Sequence, residues 1–172
     1  GAVTTQQVDG LNRVTLTVNP LGHATRFMFD VRGDLVQEVD ALNQTTTYFY
    51  DPLHRLTLVR DPLNRETQHR YDSVGQRTLT VDPLGHETRF SFDPAGRMTL
   101  TTDALGGTTR YRYDLTGVQI SLTDAKGATW TFQTDALNRV TLSTNPLGQT
   151  KTFKYSVVGD LTLTVNENNE QI

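Results

Sequence analysis

Cysteine is absent from the 172 residues, which removes disulfides and thiolate metal sites and leaves the redox compartment unread. No apolar run approaches the ~20 residues that a membrane-spanning helix needs. Charge of one sign is also missing. The formal net charge is −3 and the 16 basic residues are scattered, which argues against a nucleic-acid or anionic-membrane partner. No window shows a 3.6-residue apolar period, so helix has no support anywhere. With hydrophobic residues at only 35%, a conventional globular core is not indicated, whereas threonine, which favours strands, is abundant.

What the chain has instead is a repeat. Asp9, Asp30, Asp51, Asp72, Asp93, Asp114 and Asp135 stand 21 residues apart, and Ser156 falls on the eighth beat. A second series, ten residues on, reads Asn19, Asp40, Asp61, Asp82, Asp103, Asp124, Asn145 and Asn166. Each unit is too small to bury a hydrophobic face alone and must stack on its neighbours. Residues 1–172 therefore read as one array of eight 21-residue repeats with turns at 9, 30, 51, 72, 93, 114, 135 and 156. The repeat runs through both ends and Gly1-Ala2 has the look of a cloning remnant, so a piece of a longer protein is expected.

Within a repeat the pattern is turn, strand, turn, strand. Asp72-Ser73-Val74-Gly75 precedes the alternating Arg77–Val81, and Asp82-Pro83-Leu84-Gly85 precedes Glu87–Phe92. Asp in first place can bond the backbone two residues on, Pro presets φ, and the fourth place needs a residue that tolerates positive φ. In the second series that place holds Gly22, Asn43, Asn64, Gly85, Gly106, Gly127, Gly148 and Asn169. In the first series it holds Asn12, Gly33, Gly75, Gly96, Gly117, Asn138 and Gly159, with His54 the exception. The structural turn residues are thus Asp51, Asp72, Asp82, Gly85, Asp93, Gly96, Asp103, Gly106, Asp114 and Gly117, and Leu84 is expected at an exposed tip. The fold class is all-β: an antiparallel meander of about eight hairpins forming a single curved or twisted sheet.

Aromatic pairs two residues apart precede the first-series turns, so both members share a face. They are Phe27/Phe29, Tyr48/Tyr50, Phe90/Phe92, Tyr111/Tyr113 and Phe153/Tyr155, with His69/Tyr71 and Phe132/Thr134 as variants. Val14/Leu16/Val18, Leu56/Leu58 and Leu161/Leu163/Val165 on the outgoing strands are expected opposite them, making one apolar face. An odd period would flip that face at every repeat. One turn per repeat must therefore have an even effective length, or a bulge must take up one residue. A three-residue loop is expected at the first series and an even or bulged loop at the second.

The sixth repeat departs from the pattern. Val118, Ile120 and Leu122 are apolar where Gln119 and Ser121 take places held by Leu or Val elsewhere, and Trp130 replaces a Thr. A local shift near Gly117 would return the three aliphatics to the apolar face; otherwise Val118, Ile120, Leu122 and Trp130 form a candidate contact patch.

Tyr50-Asp51, Tyr71-Asp72-Ser73-Val74-Gly75, Tyr113-Asp114-Leu115-Thr116-Gly117 and Phe92-Asp93-Pro94-Ala95-Gly96-Arg97 resemble the YD repeat of Rhs proteins, and the resemblance covers the whole chain. It implies a ribbon of hairpins spiralling into a hollow shell, as in Rhs effectors and toxin-complex C proteins, where the shell encloses a C-terminal toxin domain until delivery from a bacterium. The partners implied are the remainder of the shell and the enclosed domain, and the location is secreted or cell-surface. The family's self-cleaving Asp-Pro-x-Gly-Leu segment is not matched, since His86 follows Asp82-Pro83-Leu84-Gly85 and His23 follows Asn19-Pro20-Leu21-Gly22.

Other chemistries fit the residues less well. The turn aspartates invite a calcium reading, but each carboxylate can serve its own backbone. His23, His54, His69 and His86 never take metal-ligand spacing, and no Ser, His and acid stand in a single-copy context. No cofactor and no catalytic residue are expected. The rows of Thr15, Thr57, Thr78, Thr99, Thr141 and Thr162, interrupted by Val36 and Ile120, read as strand propensity rather than an ice-binding surface. The function expected is a structural shell segment. The rival reading is a carbohydrate- or cell-surface-binding module that uses the aromatic face, dependent on Tyr111 and Tyr113. An isolated array is expected to self-associate, because a single apolar face needs cover.

Overall fold

The computed structural model describes residues 3–166, so Gly1-Ala2 and the turn residue Asn169 lie outside it. Among the described residues there is no helix. The first eight strands are β1 Thr5–Val8, β2 Val14–Val18, β3 Ala24–Phe29, β4 Leu35–Val39, β5 Thr45–Tyr50, β6 Leu56–Arg60, β7 Glu66–Tyr71 and β8 Arg77–Val81. The rest are β9 Glu87–Phe92, β10 Met98–Thr102, β11 Thr108–Tyr113, β12 Gln119–Thr123, β13 Thr129–Thr134, β14 Val140–Thr144, β15 Thr150–Tyr155 and β16 Leu161–Val165. Strand order follows chain order in one open antiparallel sheet. The chain divides into two compact units, Gly1–Glu87 and Thr88–Ile172, and the same hairpin rules build each.

Both turn series adopt one geometry. The first residue's N–H donates to the carbonyl of the fifth, and the N–H of the fourth donates to the carbonyl of the first: Asp9 to Arg13 and Asn12 to Asp9, both at 3.0 Å. Asn19 and His23, then Gly22 and Asn19, repeat this in the second series at 2.9 Å. These are three-residue hairpin loops with the fourth residue left-handed. Its φ is 57–62° where it is Asn or His and 79–102° where it is Gly.

The expected difference between the turn series is therefore corrected, because the odd residue is absorbed in a strand. In every first-series hairpin the register slips by one just after the turn. Tyr50 faces Leu56 but Phe49 faces Leu58, leaving Thr57 unpaired. The skipped residues are Thr15, Val36, Thr57, Thr78, Thr99, Ile120, Thr141 and Thr162. The second-series ladders, such as Leu16↔Arg26 to Val18↔Ala24, show no slip. A bulge exposes a carbonyl on the facing strand, and the threonine hydroxyl answers it. Thr57 Oγ1 donates to the Phe49 carbonyl at 3.1 Å and Thr99 Oγ1 to the Ser91 carbonyl at 3.2 Å. The threonine row thus marks the bulges, a more specific role than strand propensity.

The bulge also divides the apolar residues. Directly opposed residues share a face and neighbours along a strand alternate. Val14 faces Val8 while Leu16 faces Gln7, so the two valine and leucine positions fall on opposite sides. Leu56 joins Tyr48 and Tyr50, and Leu58 lies on the other side with Phe49. The expectation of a single apolar face is overturned. Leu16, Leu58 and Leu79 in the first unit, and Leu100, Leu142 and Leu163 in the second, lie on the face of their own strands away from the aromatic pairs, with long side chains such as Arg26, Arg70 and Lys154 directly opposite some of them. Leu79, at 5% exposure, is the one hydrophobic residue counted as buried among the described residues.

Candidate functional site

The structure gives each turn carboxylate a local task. Asp51 Oδ1 accepts from the backbone N–H of Leu53 and Arg55, and Asp72 does the same for Val74 and Gln76. Asp82, Asp93, Asp103 and Asp114 repeat the pattern on Leu84 and His86, Ala95 and Arg97, Leu105 and Gly107, Thr116 and Val118. Gly85, Gly96, Gly106 and Gly117 close these turns at φ of 83, 82, 82 and 94°.

On top of this grammar lies an order of period 42, twice the repeat, which the residue-type reading above misses. Arg13, Arg55, Arg97 and Arg139 stand in the fifth place of every second first-series turn. Each folds back on its own turn aspartate, with guanidinium–carboxylate distances of 2.6–2.7 Å. Each guanidinium also stacks on the aromatic ring that precedes the next turn: Phe29, Tyr71, Tyr113 and Tyr155, 4.5–4.8 Å to the centroid. Arg55 donates onward to the Asp72 carbonyl at 3.0 Å, and Arg97 to that of Asp114 at 3.2 Å. Adjacent first-series turns are thereby clamped in pairs. The second turn of each pair always carries glycine in fourth place: Gly33, Gly75, Gly117 and Gly159, at φ of 93–102°. A Cβ would meet the clamping guanidinium at 3.6, 3.5 and 3.9 Å at Gly33, Gly117 and Gly159. The first turn of the pair tolerates Asn12, His54 and Asn138. The signal visible in sequence was the alternation of Arg with Asp34, Gln76, Val118 and Asp160.

Phe27, Phe29, Tyr48, Tyr50, Tyr71, Phe90, Phe92, Tyr111, Tyr113, Phe153 and Tyr155 lie half-buried on one face of their strands, while the residues between them are exposed. The second member of the pair has a further task where it is Tyr. Ladders across the second-series hairpins stop short of the first-series turns, leaving carbonyls unpaired there. Tyr50 OH donates to the Leu35 carbonyl at 3.0 Å, Tyr71 to Leu56 at 2.8 Å, Tyr113 to Met98 at 2.9 Å and Tyr155 to Val140 at 2.8 Å. The Tyr-Asp pair is thus one device, with the hydroxyl tying the turn to the previous hairpin and the carboxylate shaping it. Tyr113→Phe is expected to cost about 1 kcal/mol in chemical denaturation with the stack on Arg97 intact; an unchanged midpoint would contradict that role.

Electrostatics follow from the same contacts. The Asp9, Asp51 and Asp135 carboxyls are held below the ordinary range, first by the hydrogen bond from their arginine. Those of Asp61, Asp82 and Asp93 are lowered first by the backbone N–H of the closing residue. A lowered folded-state pKa stabilises the fold fully above the unfolded value of about 4 and is lost as pH falls through the folded value. Thermal melts followed by circular dichroism should lose midpoint below about pH 4. Asp51→Asn keeps the turn acceptor, as Asn19 and Asn145 do, and should reduce that acid sensitivity. An unaltered acid slope in Asp51→Asn would count against the carboxylates as its source.

The candidate patch of the sixth repeat is not a slipped strand. Tyr113 faces Gln119 and Arg112 faces Ser121, the register common to all repeats, with Ile120 simply the bulge residue. Leu122 faces Tyr111 and Trp130, so it belongs to the aromatic face; Val118 closes the turn where Arg97 does one repeat earlier. The shared register corrects the shifted-strand expectation, and all four residues are half-buried, as most strand residues are. A groove of about 350 Å³ opens beside Trp130 and Phe132, with Ser143, Asn145, Gln149 and Lys151 on its walls.

The histidines remain separate. His54 Nδ1 lies 2.8 Å from Asp34, His86 Nδ1 2.9 Å from Asp82, and His69 Nδ1 3.1 Å from the Thr80 hydroxyl. No group of metal-ligating side chains occurs among the described residues.

Hairpins of 21 residues, turned by Asx caps and joined by hydroxyl and guanidinium ties, define the class as a β-hairpin repeat array. The RHS repeat model matches residues 29–66, 50–86 and 71–108. The same 21-residue repeat continues in register on both sides of that stretch, so the chain carries RHS (YD) repeats. In fold it is similar to the crystal structure of TcdB2–TccC3–Cdc42, with a TM-score of 0.78 at 16% identity over 99% of this chain. TcdB2–TccC3 without its hypervariable C-terminal region gives 0.77 at 17% over 99%. The Photorhabdus luminescens Tc holotoxin pore carrying a TccC3 mutation gives 0.70 at 18% over 87%. The chain spans only 12, 12 and 9% of those three chains. No curated protein matches by sequence.

Proposed function

We propose that this chain is a wall segment of a β-shell that encloses a toxin or effector domain of its parent protein before delivery, and that it has no chemistry of its own. The observation that carries this reading is the fold match to toxin-complex structures over 99% of the chain, joined to its RHS repeats. One of those relatives was crystallised without a hypervariable C-terminal region, which supports a further segment as the cargo of such walls. The site supports the same reading: its carboxylates hold turns and its tyrosines hold neighbouring hairpins, so its polar groups are committed to rigidity. The partners are then the rest of the shell and the enclosed domain, and the location is that of a bacterial secreted or surface-delivered protein. The test is limited proteolysis of the parent protein. A domain that resists digestion until the shell is unfolded is the expected result; a parent with no segment beyond its repeats, or one digested at once, would overturn it.

The carbohydrate reading is favoured by one observation, the groove beside Trp130 with its amide side chains. Tyr113 serves it less well, since the Tyr113 hydroxyl is bonded to the Met98 carbonyl and its ring lies against Arg97. Glycan-array binding that disappears in Trp130→Ala would support this second reading.

A further inference from the structure

We infer that the second unit, Thr88–Ile172, presents a cationic sheet face on which an acidic protein surface docks. Arg110 lies directly opposite Leu100 and Thr123, Arg112 opposite Ser121, and Lys154 opposite Leu163. Opposed residues share a side, so all three stand on the face away from the aromatic pairs, and all three are exposed. Arg89 is exposed on the same side of β9. Carboxylates are kept off that face. The unit's described acids, Asp93, Asp103, Asp114, Asp124, Asp135 and Asp160, all stand in turns at the two edges.

Nothing in the strand requires these cations. One repeat on, Thr131 and Gln133 hold the places of Arg110 and Arg112 and keep the register, opposite Thr144 and Leu142. A long stem can cover the leucine opposite it, which accounts for Arg110 and Lys154 but not for Arg112, whose opposite residue is Ser121. Nor are the charges neutralised within the sheet. Arg97 and Arg139 pair with Asp93 and Asp135 in turns at 2.7 and 2.6 Å, whereas among the described residues no ion pair engages Arg110, Arg112 or Lys154.

Charge and spacing together define the occupant. Arg110 and Arg112 are two residues apart on one side of β11, about 7 Å, which is within the screening length of about 8 Å at physiological salt. Two guanidinium groups at that distance repel unless anions lie beside them. Carboxylates on alternate residues of an extended segment have the same spacing, and each can take a guanidinium in bidentate fashion. From β11 to β15 the cations spread over about 19 Å at ordinary strand separation, which exceeds a small anion and suits a protein surface. A nucleic acid fits less well. Strands of five or six residues make the face about 20 Å wide, so a duplex lying on it would bring its phosphates against the aspartates of both edges. A protein surface carries acid only where it meets the cations. The net charge of −3 gives the chain no general attraction for polyanions. This face is a property of the described sheet and stands whether or not the parent protein encloses a domain.

Fluorescence anisotropy with a labelled oligo-glutamate peptide at low ionic strength is the test. The chain should bind it, with an affinity that falls as salt rises. Arg110→Ser/Arg112→Ser should weaken binding about tenfold with unchanged far-ultraviolet circular dichroism, since Ser91 already holds the place of Arg112 one repeat earlier. Arg110→Lys/Arg112→Lys keeps the charge and should keep most of the binding. Lys151→Ser, on the aromatic face, and Lys126→Ser, at a turn tip, should bind like the unaltered chain. Labelled oligothymidylate should bind the unaltered chain no better than it binds the serine variant. No binding of oligo-glutamate, undiminished binding by the folded serine variant, a lysine variant as weak as the serine one, an equal loss in either control, or oligothymidylate held as tightly as oligo-glutamate would each overturn the docking face.

Discussion

Gly117→Val should destabilise its pair of repeats by about 2–3 kcal/mol, because valine resists left-handed backbone and the site sits beyond the range that Asn and His occupy. Gly117 is at φ 94°, whereas the non-glycine turn residues stay at 57–62°. A side chain there would also approach Arg97, whose Nη1 would already stand 3.5 Å from a Cβ. The loss should be local, since each repeat contacts only its neighbours. Hydrogen exchange should show faster amides around residues 93–118 and unchanged ones in the far repeats. Gly106→Asn is the matched control. Its turn has open space and belongs to a series that already uses Asn43 and Asn64, so its effect should be within a few tenths of a kcal/mol. Equal losses for the two substitutions would refute the distinction between clamped and free turns.

Arg97→Ala should cost about 1–2 kcal/mol, through the stack on Tyr113 and the bond to the Asp114 carbonyl. The ion pair with Asp93 adds little at its exposure and is screened by salt. The loss should therefore persist in high salt, which separates stacking from ion pairing. Arg97→Lys should recover the charge without the planar stack and remain well short of full stability. A double-mutant cycle with Tyr113→Leu measures the coupling directly, and a coupling near zero would show that the guanidinium only shields its own turn. Arg112, exposed on the same strand as Tyr113, provides a neutral reference.

The clamps bear on the proposed role. A sheet in which one hydrophobic residue, Leu79, is buried among the described residues cannot rely on a core. Its rigidity comes from ties between consecutive hairpins, renewed every 42 residues, so a wall can be extended by adding repeats without a new core. The same logic explains the tolerance of the sixth repeat. Gln119 and Ile120 replace apolar and threonine residues, yet the register is the one found elsewhere, because turn geometry and ladder bonds set it.

Strands, turns and their period were determined by the sequence alone, because each depends on neighbours a few residues away. An Asp that bonds its own loop, a Gly or Asn at positive φ and an alternating Thr-rich run act within one hairpin. The sequence also contained the clamp, as an Arg every 42 residues, but its meaning required the ring of the next turn, 16 residues on, to be placed beneath it. The side of the sheet on which Leu16, Leu58 and Leu79 fall was decided only by the tertiary structure. Parity alone required one residue per repeat to be absorbed and was silent on where; a turn or a strand would do equally well. The bulge settled at Thr57 and its equivalents, where a hydroxyl can reach the carbonyl of the facing strand. That single displacement moved a row of leucines to the opposite face, because in a strand one residue separates one side from the other.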